Sequence, residues 1–446
     1  MRFSSALFSY LTSAEHVGPA VEISGASCDS RKLEAGWLFV CLRGERTNGS
    51  AFVHEAVKKK AAAVLIDRCY SDVVMRYRKD ITFLVCHEVV KTLSRFASLQ
   101  LLGSRPISIG ITGSCGKTTT KEMIASILST RGTVSRTPGN MNSTIGLPLA
   151  LINSDPDCDY AVYELGVDHP GEMELLSSTL CPELAVITNI GISHLENFRT
   201  RENIALEKSK ILLPHTKGFI PADCQFADII RRQGRNVESV SSPFSEVQFL
   251  GLDGLRLTLG RHSFVMKAVG MHNVQDAALA AAVAGQLGFD DGEIAQGLSM
   301  LEPMFGRSRV VRQGSVTVIE DCYNATLDSM KDAISTVSRL SWKKDKFIVL
   351  GDMKELGSES ARAHEYVGSI LCNAKCEHIF LYGEEMENAY RILCDNGLRG
   401  KSVYTPDFAR LSECVRTTVS KGDLVLIKGS RAMAMERLFD TLREVG

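Results

Sequence analysis

The sequence predicts an α/β protein of three domains: a small N-terminal α/β domain over 1–103, a central domain with a P-loop on a mostly parallel sheet over 104–310, and a C-terminal Rossmann-like domain over 311–446. Three observations carry this. At 446 residues the chain exceeds what one hydrophobic core supports. Short, β-branched apolar runs alternate with helical patterns, the mark of parallel strands covered on both faces. The rhythm breaks twice, at the Gly103 to Pro106 turn in "LLGSRPIS" and after "FGRSRV".

Taken in order, "MRFSSALFSYLTSAEHVG" has apolar runs broken by Ser and Tyr, and reads as an amphipathic helix rather than a signal peptide. "WLFVCL", "AAAVLID" and "ITFLVC" read as strands, with "AFVHEAVKKK" and "VVKTLSRFASLQLL" as helices between or after them. In the central part "ISIGITG", "YAVYELG", "LAVITNI" and "KGFIPAD" are buried strands. The stretch from about 235 to 270 alternates more and reads as an antiparallel addition before the helix "HNVQDAALAAAVAGQLG". The last part contributes five strands, "SVTVIED", "KFIVLGD", "HIFLYGE", "KSVYT" and "DLVLIKG". It holds no G-x-G-x-x-G, so nothing there supports a dinucleotide site.

Composition narrows the function. A hydrophobic content of 44% and a charged content of 23% are those of an ordinary soluble globular protein. A net charge of -1 gives no global field for nucleic acid or an anionic membrane, so small anionic ligands fit better. No run approaches the roughly twenty apolar residues of a bilayer span, and a cytosolic monomer is expected. The thirteen cysteines are scattered through strands and helices, as reduced, buried thiols are. In "CNAKCEH", Cys372, Cys376 and His378 are metal-ligand types, but no second ligand pair follows, and the two cysteines read as i, i+4 neighbours on a helix face.

The chemistry centres on "GITGSCGKTTTKEM", between a strand and a helix. Thr112, Gly113, Ser114, Cys115, Gly116, Lys117, Thr118 and Thr119 form a phosphate cradle: the glycines admit close approach, the helix start aims N–H groups at the anion, and Lys117 adds charge. The full Walker pattern would place glycine where Ile111 stands, so the loop is a tighter variant, and a ligand-free glycine turn is the bland alternative. Thr118 offers a hydroxyl to Mg²⁺. Further ligands belong at the carboxyl ends of neighbouring strands, where Glu164 ends "YAVYE" and His194 follows "LAVITNIGIS". Singly, these read as a helix-start carboxylate and a loop histidine. Cys115, a thiol in a phosphate loop, invites oxidation or alkylation.

Together "GITGSCGKTTT", "TPGNMNSTIGLPLAL", "YELGVDHPGEM", "TNIGISHLENF", "MHNVQDAALAAA", "FGRSR", "EDCYNA", "GDMKELG" and "KGSR" resemble the Mur ligase family, the ATP-dependent amide-forming enzymes of peptidoglycan precursor synthesis. The matches run in order from about residue 27 to 431. The resemblance implies ATP and Mg²⁺, transfer of the γ-phosphoryl to a peptide carboxylate, and attack of an amine on the acyl phosphate. "DSRKLEAGWLFVCLRGE", "ELGVDHPGE" and "DCYNA...GDMKELGSES" resemble the dipeptide-adding branch, and the D-N-P-R-type motif of the third-residue-adding branch is missing. The implied substrates are UDP-N-acetylmuramoyl-tripeptide and D-alanyl-D-alanine. Another Mur-type or folylpolyglutamate-type carboxylate–amine ligase stays open.

Residue by residue, the resemblance implies that Lys117, with Mg²⁺ on Thr118 and Glu164, faces the γ-phosphate, and that His194 and a carbamylated Lys208 support a second Mg²⁺. Lys208 is alternatively an exposed helix lysine, with Lys210 its rival. Asn273 is an adenine contact or a helix cap, Arg307 a phosphate ligand or a solvated side chain, and Asp321 a ribose ligand or a turn carboxylate. Ser27, Asp29, Ser30 and Arg31 of "SCDSR" fall to the UDP end, or to a plain surface turn. Asn140, Asn142, Ser143 and His169 fall to the sugar and peptide. Lys428 and Arg431 of "KGSR", at a helix start, fall to the dipeptide carboxylate. Two segments depart from the family: "GERTNGSAF" lacks an Asp-Gly-His-like pattern, and Thr326 and Leu327 stand where Asn-Pro is common.

Overall fold

The computed structural model describes residues 2–44 and 47–445; Glu45 and Arg46, inside "GERTNGSAF", lie outside the described residues. The chain packs as two compact units. The first comprises Met1–Thr112, Gly132–Ala185 and Lys210–Lys217, and the second Gly113–Arg131, Val186–Ser209 and Gly218–Gly446. Contacts thus divide the stretch 104–310 between the units.

In the first unit, the strands Ala26–Ser27, Leu38–Val40, Ala63–Asp67 and Thr82–Cys86 are parallel neighbours, and Glu15–Val17 adds antiparallel to the last. "AVLID" and "TFLVC" are almost continuously apolar because both sheet faces are covered. Phe39, Val64, Ile66 and Phe83 pack with Leu33 and Val53 on one side. Ser4 accepts a hydrogen bond from the Leu7 amide and so starts the N-terminal helix Ser5–Thr12. Phe8 on that helix is buried against Phe96 of the helix Val89–Ser104, their rings 4.4 Å apart. The short helix Ser71–Tyr77, "SDVVMRY", has no counterpart in the sequence reading.

The same unit holds the strand that leads into the phosphate loop. Ile107–Thr112 pairs in parallel with Tyr160–Glu164, which pairs in parallel with Val134–Arg136. The register sets Glu164 opposite Ile111. Its carboxylate therefore ends one strand beside the last residues of the other, as expected for a sheet that gathers ligands at its carboxyl edge.

The second unit contains the phosphate-loop helix Lys117–Leu128, a parallel pairing of residues 218–221 with Val237–Val240, and the three-stranded antiparallel sheet Glu246–Phe249, Leu255–Leu259, His262–Met266. Helix Asn273–Gln286 follows; Asp290 and Glu293 then form a reciprocal capping box that starts Asp291–Ser299. The C-terminal sheet runs Arg309–Gln313, Val316–Asp321, Leu424–Lys428, Lys346–Gly351, His378–Tyr382, Ser402–Thr405. The last five are parallel and are those expected, with apolar layers on both faces. Arg309–Gln313 is an additional antiparallel edge strand; "RVVRQ" is only half-buried and carries no clear alternation.

One local reading is corrected. The helix Ser360–Cys372 ends at Cys372, with Asn373 as its C-cap, so Cys376 lies in the following turn, buried, and not on the same helix face. Among the described residues no group of three or more His, Cys, Asp or Glu is placed to hold a metal ion, and no helix is long and apolar enough to cross a membrane.

Candidate active site

Glycine at 113 and 116 is dictated by space and backbone. Gly113 has φ 151° and a Cβ there would stand 1.9 Å from Thr188 Oγ1; Gly116 has φ 77° and its Cβ would stand 2.6 Å from Asp276 Oδ1. The loop is braced from the segment after the strand Leu184–Ile187. Thr188 Oγ1 donates to the Cys115 carbonyl, and Asn189 Oδ1 accepts from the Ser114 and Cys115 amides at 3.0 and 2.9 Å. Lys117 Nζ folds back over the loop onto the Gly113 carbonyl at 2.9 Å. Thr188 and Asn189 escaped the sequence reading; their signal was a polar pair directly after a buried strand.

A cavity of about 190 Å³ opens against this loop, lined also by Asn273, Asp276, Arg307, Asp321 and Lys428. Arg307 Nη2 donates to Thr118 Oγ1 at 3.2 Å and its guanidinium lies 4.4 Å over the Tyr323 ring, so it is no freely solvated side chain. Lys428 is buried, with Nζ on Asp321 Oδ2 at 2.8 Å and on the Asn324 carbonyl at 3.1 Å. This groups Lys428 with Asp321 and the phosphate loop rather than with Arg431, which is exposed and bound to Glu436 at 2.6 Å. After Ser430 the chain makes two 3₁₀ turns, Arg431–Met433 and Met435–Arg437, before the helix Leu438–Arg443. The helix start expected at "KGSR" is therefore displaced. Asn273 is the first residue inside its helix and not its cap: its Nδ2 donates to the Val269 and Gly270 carbonyls at 3.0 and 3.1 Å.

Burial governs the ionisation of this cavity. It pushes the Asp276 carboxyl up to about 7. Burial, then the neighbouring Asp328, Asp276 and Asp332, pushes the Cys115 thiol up to about 12, against the reactive thiol expected from its place in the loop. A group with so high a pKa is protonated throughout the neutral range. Iodoacetamide labelling of Cys115 at pH 7.5 is accordingly expected to run at least about 100-fold slower than for an ordinary thiol of pKa about 8.5. Peptide mass spectrometry over a labelling time course checks this.

Glu164 is 3% exposed, accepts from Asn142 Nδ2 at 2.7 Å, and donates its own amide to Thr137 Oγ1 at 2.8 Å. Asn142 thus supports Glu164, a use the sequence reading did not assign. His194 adopts φ 57°, and its Nδ1 lies 2.6 Å from Glu355 Oε2, a residue also in the left-handed region at φ 66°. The bond to His194 holds Glu355 below its ordinary pKa. Glu355 was missed because only the fold brings it to His194. Lys208 is 1% exposed, against the exposed-lysine reading, while its rival Lys210 is paired with Glu174 at 2.9 Å.

These residues suit Mg²⁺ beside a nucleotide. That ion keeps phosphate oxygens and water and takes only one or two side-chain oxygens. A threonine hydroxyl, as at Thr118 in the second unit, and a buried strand-end carboxylate, as at Glu164 in the first, are each of that chemical type, and no all-protein cage is needed.

In the first unit "SCDSR" folds on itself. Ser27 Oγ accepts the Asp29 amide at 3.0 Å, and Arg31 grips Asp29 through Nε and Nη2 at 2.9 and 2.8 Å, pulling that carboxyl down to about 2. Arg31 is exposed and Ser30 buried. Asn153 anchors the strand before this turn, exchanging two 2.8 Å bonds with Ala26. Asn140 and Ser143 are exposed; Ser143 Oγ accepts the Gly146 amide at 3.1 Å. His169 is exposed near Glu172, whose carboxylate accepts the Asp168 and His169 amides at 2.7 and 3.0 Å.

Three family models match the chain: the Mur ligase catalytic domain at 22–91, the Mur ligase middle domain at 111–284, and the glutamate ligase domain of Mur ligases at 306–431. The chain is 36% identical to the UDP-N-acetylmuramoyl-tripeptide--D-alanyl-D-alanine ligase of Treponema pallidum over 94% of both proteins. It resembles the crystal structure of MurF from Acinetobacter baumannii with a TM-score of 0.87, 28% identity and coverage of 100% and 99%. It also resembles MurF ligase from Thermotoga maritima in complex with ADP, with a TM-score of 0.78, 27% identity and coverage of 94% and 97%. With an N-terminal, a central ATPase-like and a C-terminal domain matched in order along a chain that carries a glycine-built phosphate loop, this protein belongs to the Mur ligase family of ATP-dependent ligases.

Proposed function

We propose that this chain joins D-alanyl-D-alanine to UDP-N-acetylmuramoyl-tripeptide, with ATP converted to ADP and phosphate. The observation that carries the reading is the single cavity shared by the phosphate loop and by Arg307, Asp321 and Lys428. In support, the Treponema pallidum relative bears the name of that reaction and is matched over 94% of its length. Residues 1–103 are assigned to the UDP substrate, 104–310 to ATP, and 311–446 to the incoming dipeptide.

A carboxylate resists attack by an amine because its carbon is shielded by negative charge and its oxygen leaves poorly. Phosphorylation removes both obstacles, and that transfer is chiefly positioning and charge neutralisation. Loop amides and Lys117 would hold the phosphates, Arg307 would approach from the C-terminal segment, Asp321 would fix the ribose, and Asn273 would meet the adenine. Lys428, as Asp321's buried partner, holds that carboxylate in place. Mg²⁺, held by Thr118 and Glu164 and at a second position by His194 and a carbamylated Lys208, would neutralise phosphate charge and draw two anions together. "SCDSR" and Asn140, Ser143 and His169 are assigned to the nucleotide, sugar and peptide of the first substrate, and Arg431 to the dipeptide carboxylate.

Incubation with ATP, UDP-muramoyl tripeptide and either D-alanyl-D-alanine or single amino acids tests the reading. Phosphate release and a product heavier by the dipeptide are expected only with D-alanyl-D-alanine. Release only with a single amino acid would place the protein in another branch of the family.

A further inference from the structure

Arg307 reaches Thr118 from a linker whose backbone is unusual on both sides of it. Gly306 has φ 67°, and Ser308, although not a glycine, has φ 52°. Gly306 lies so close to Tyr323 that a Cβ would stand 2.8 Å from the Tyr323 amide nitrogen, and that amide donates to the Gly306 carbonyl at 3.2 Å. A residue with a side chain stays in the left-handed region only where its surroundings hold it there.

Those surroundings converge on one carboxylate. Glu320 is fully buried, and its Oε2 accepts from the Gly306 amide at 3.2 Å and from Arg309 Nε at 2.6 Å. Its two partners bracket Arg307 in the chain. The edge strand Arg309–Gln313 makes the grip possible, because its antiparallel register sets Arg309 directly opposite Glu320. By strand alternation Glu320 shares a face with Val316 and Val318, which belong to an apolar layer. Its other oxygen, Oε1, is buried with no hydrogen-bond partner among the described residues. A charge kept in such a layer with one oxygen unsatisfied is poorly explained by stability. Nor does it meet the ligand cavity: Asp321 lines that cavity and Glu320 does not.

We propose that Glu320 is a positioning residue for phosphoryl transfer. It grips the linker at Gly306 and Arg309 and so fixes the Arg307 guanidinium over Tyr323 and beside Thr118. All of these residues belong to the second unit. A charged group misplaced by about 1 Å can cost on the order of 100-fold in rate, because the charge it meets develops in the transition state. The loss therefore falls on kcat rather than on KM. The assignment rests on Arg307 serving the phosphates in the proposed ligase reaction.

Phosphate release by the full chain with ATP, UDP-muramoyl tripeptide and D-alanyl-D-alanine tests it in a double-mutant cycle. Glu320→Met fills similar space without an acceptor, and is expected to lower kcat at least about tenfold with KM for ATP within about threefold of wild type. Glu320→Gln keeps an acceptor for both bonds and should recover most of the rate. In the Arg307→Ala background Glu320→Met should cost less than about twofold more, since no guanidinium is left to position. If Glu320→Met does not fold, Arg309→Met on the half-buried edge strand removes one grip and runs the same cycle. Its loss, at least about threefold, is expected only when Arg307 is present. An equal loss with and without Arg307, or full kcat in the folded variant, overturns the proposal and leaves the ligase reading standing. Unchanged kcat in Arg307→Ala overturns the assignment of Arg307 to the phosphates and this proposal with it. No phosphate release by the wild-type protein overturns the ligase reading itself.

Discussion

Lys117→Ala is expected to lower kcat/KM for ATP at least about 1000-fold, equivalent to about 4 kcal/mol of transition-state stabilisation. The Nζ now rests on the Gly113 carbonyl at 2.9 Å, a contact it can exchange for a phosphate oxygen without leaving the loop. Backbone amides and Arg307 would remain, so nucleotide binding should fall less than turnover. Lys117→Arg should rescue little, because a planar guanidinium does not fit where a compact ammonium sits between loop carbonyl and phosphate. Phosphate release measures the loss. The thermal midpoint should stay put, since Lys117 is only half-buried.

Glu164→Ala is expected to cost activity of similar order, about 100- to 1000-fold, and stability as well. Removing the carboxylate leaves Asn142 Nδ2 without its 2.7 Å partner, and because Asn142 is only half-buried the loss is expected near the low end, about 1 kcal/mol. Glu164→Gln separates the two effects. An amide oxygen can still accept from Asn142, so the midpoint of unfolding should recover, but the charge is gone, and the Mg²⁺ concentration needed for half-maximal rate should rise. Thermal unfolding and Mg²⁺ titration of the rate check both halves. Full activity in Glu164→Gln would remove Glu164 from the reaction.

The parts of this site legible in the sequence are those whose chemistry is local. A phosphate loop is built from consecutive residues, and the β-branched runs Ile107–Thr112 and Tyr160–Glu164 announce their own strands. What was not legible depends on distant partners. Nothing near Asn189 says that its side chain braces the amides of Ser114 and Cys115, and nothing near Glu355 points to His194. Lys428 reads beside Arg431 as a pair of cations, yet burial beside Asp321 separates their roles. Cys115 reads as reactive from its motif, and burial among carboxylates pushes its thiol up to about 12. The edge strand Arg309–Gln313 was missed because half-exposed "RVVRQ" carries no clear period.

The central claim is that ATP activates a carboxylate as an acyl phosphate before the amine attacks. Its most direct test is the fate of oxygen. UDP-N-acetylmuramoyl-tripeptide labelled with ¹⁸O in its terminal carboxylate is turned over with ATP and D-alanyl-D-alanine, and the released phosphate is examined by mass spectrometry. One ¹⁸O atom per phosphate formed is the expected result. Unlabelled phosphate released together with ligated product would contradict the account.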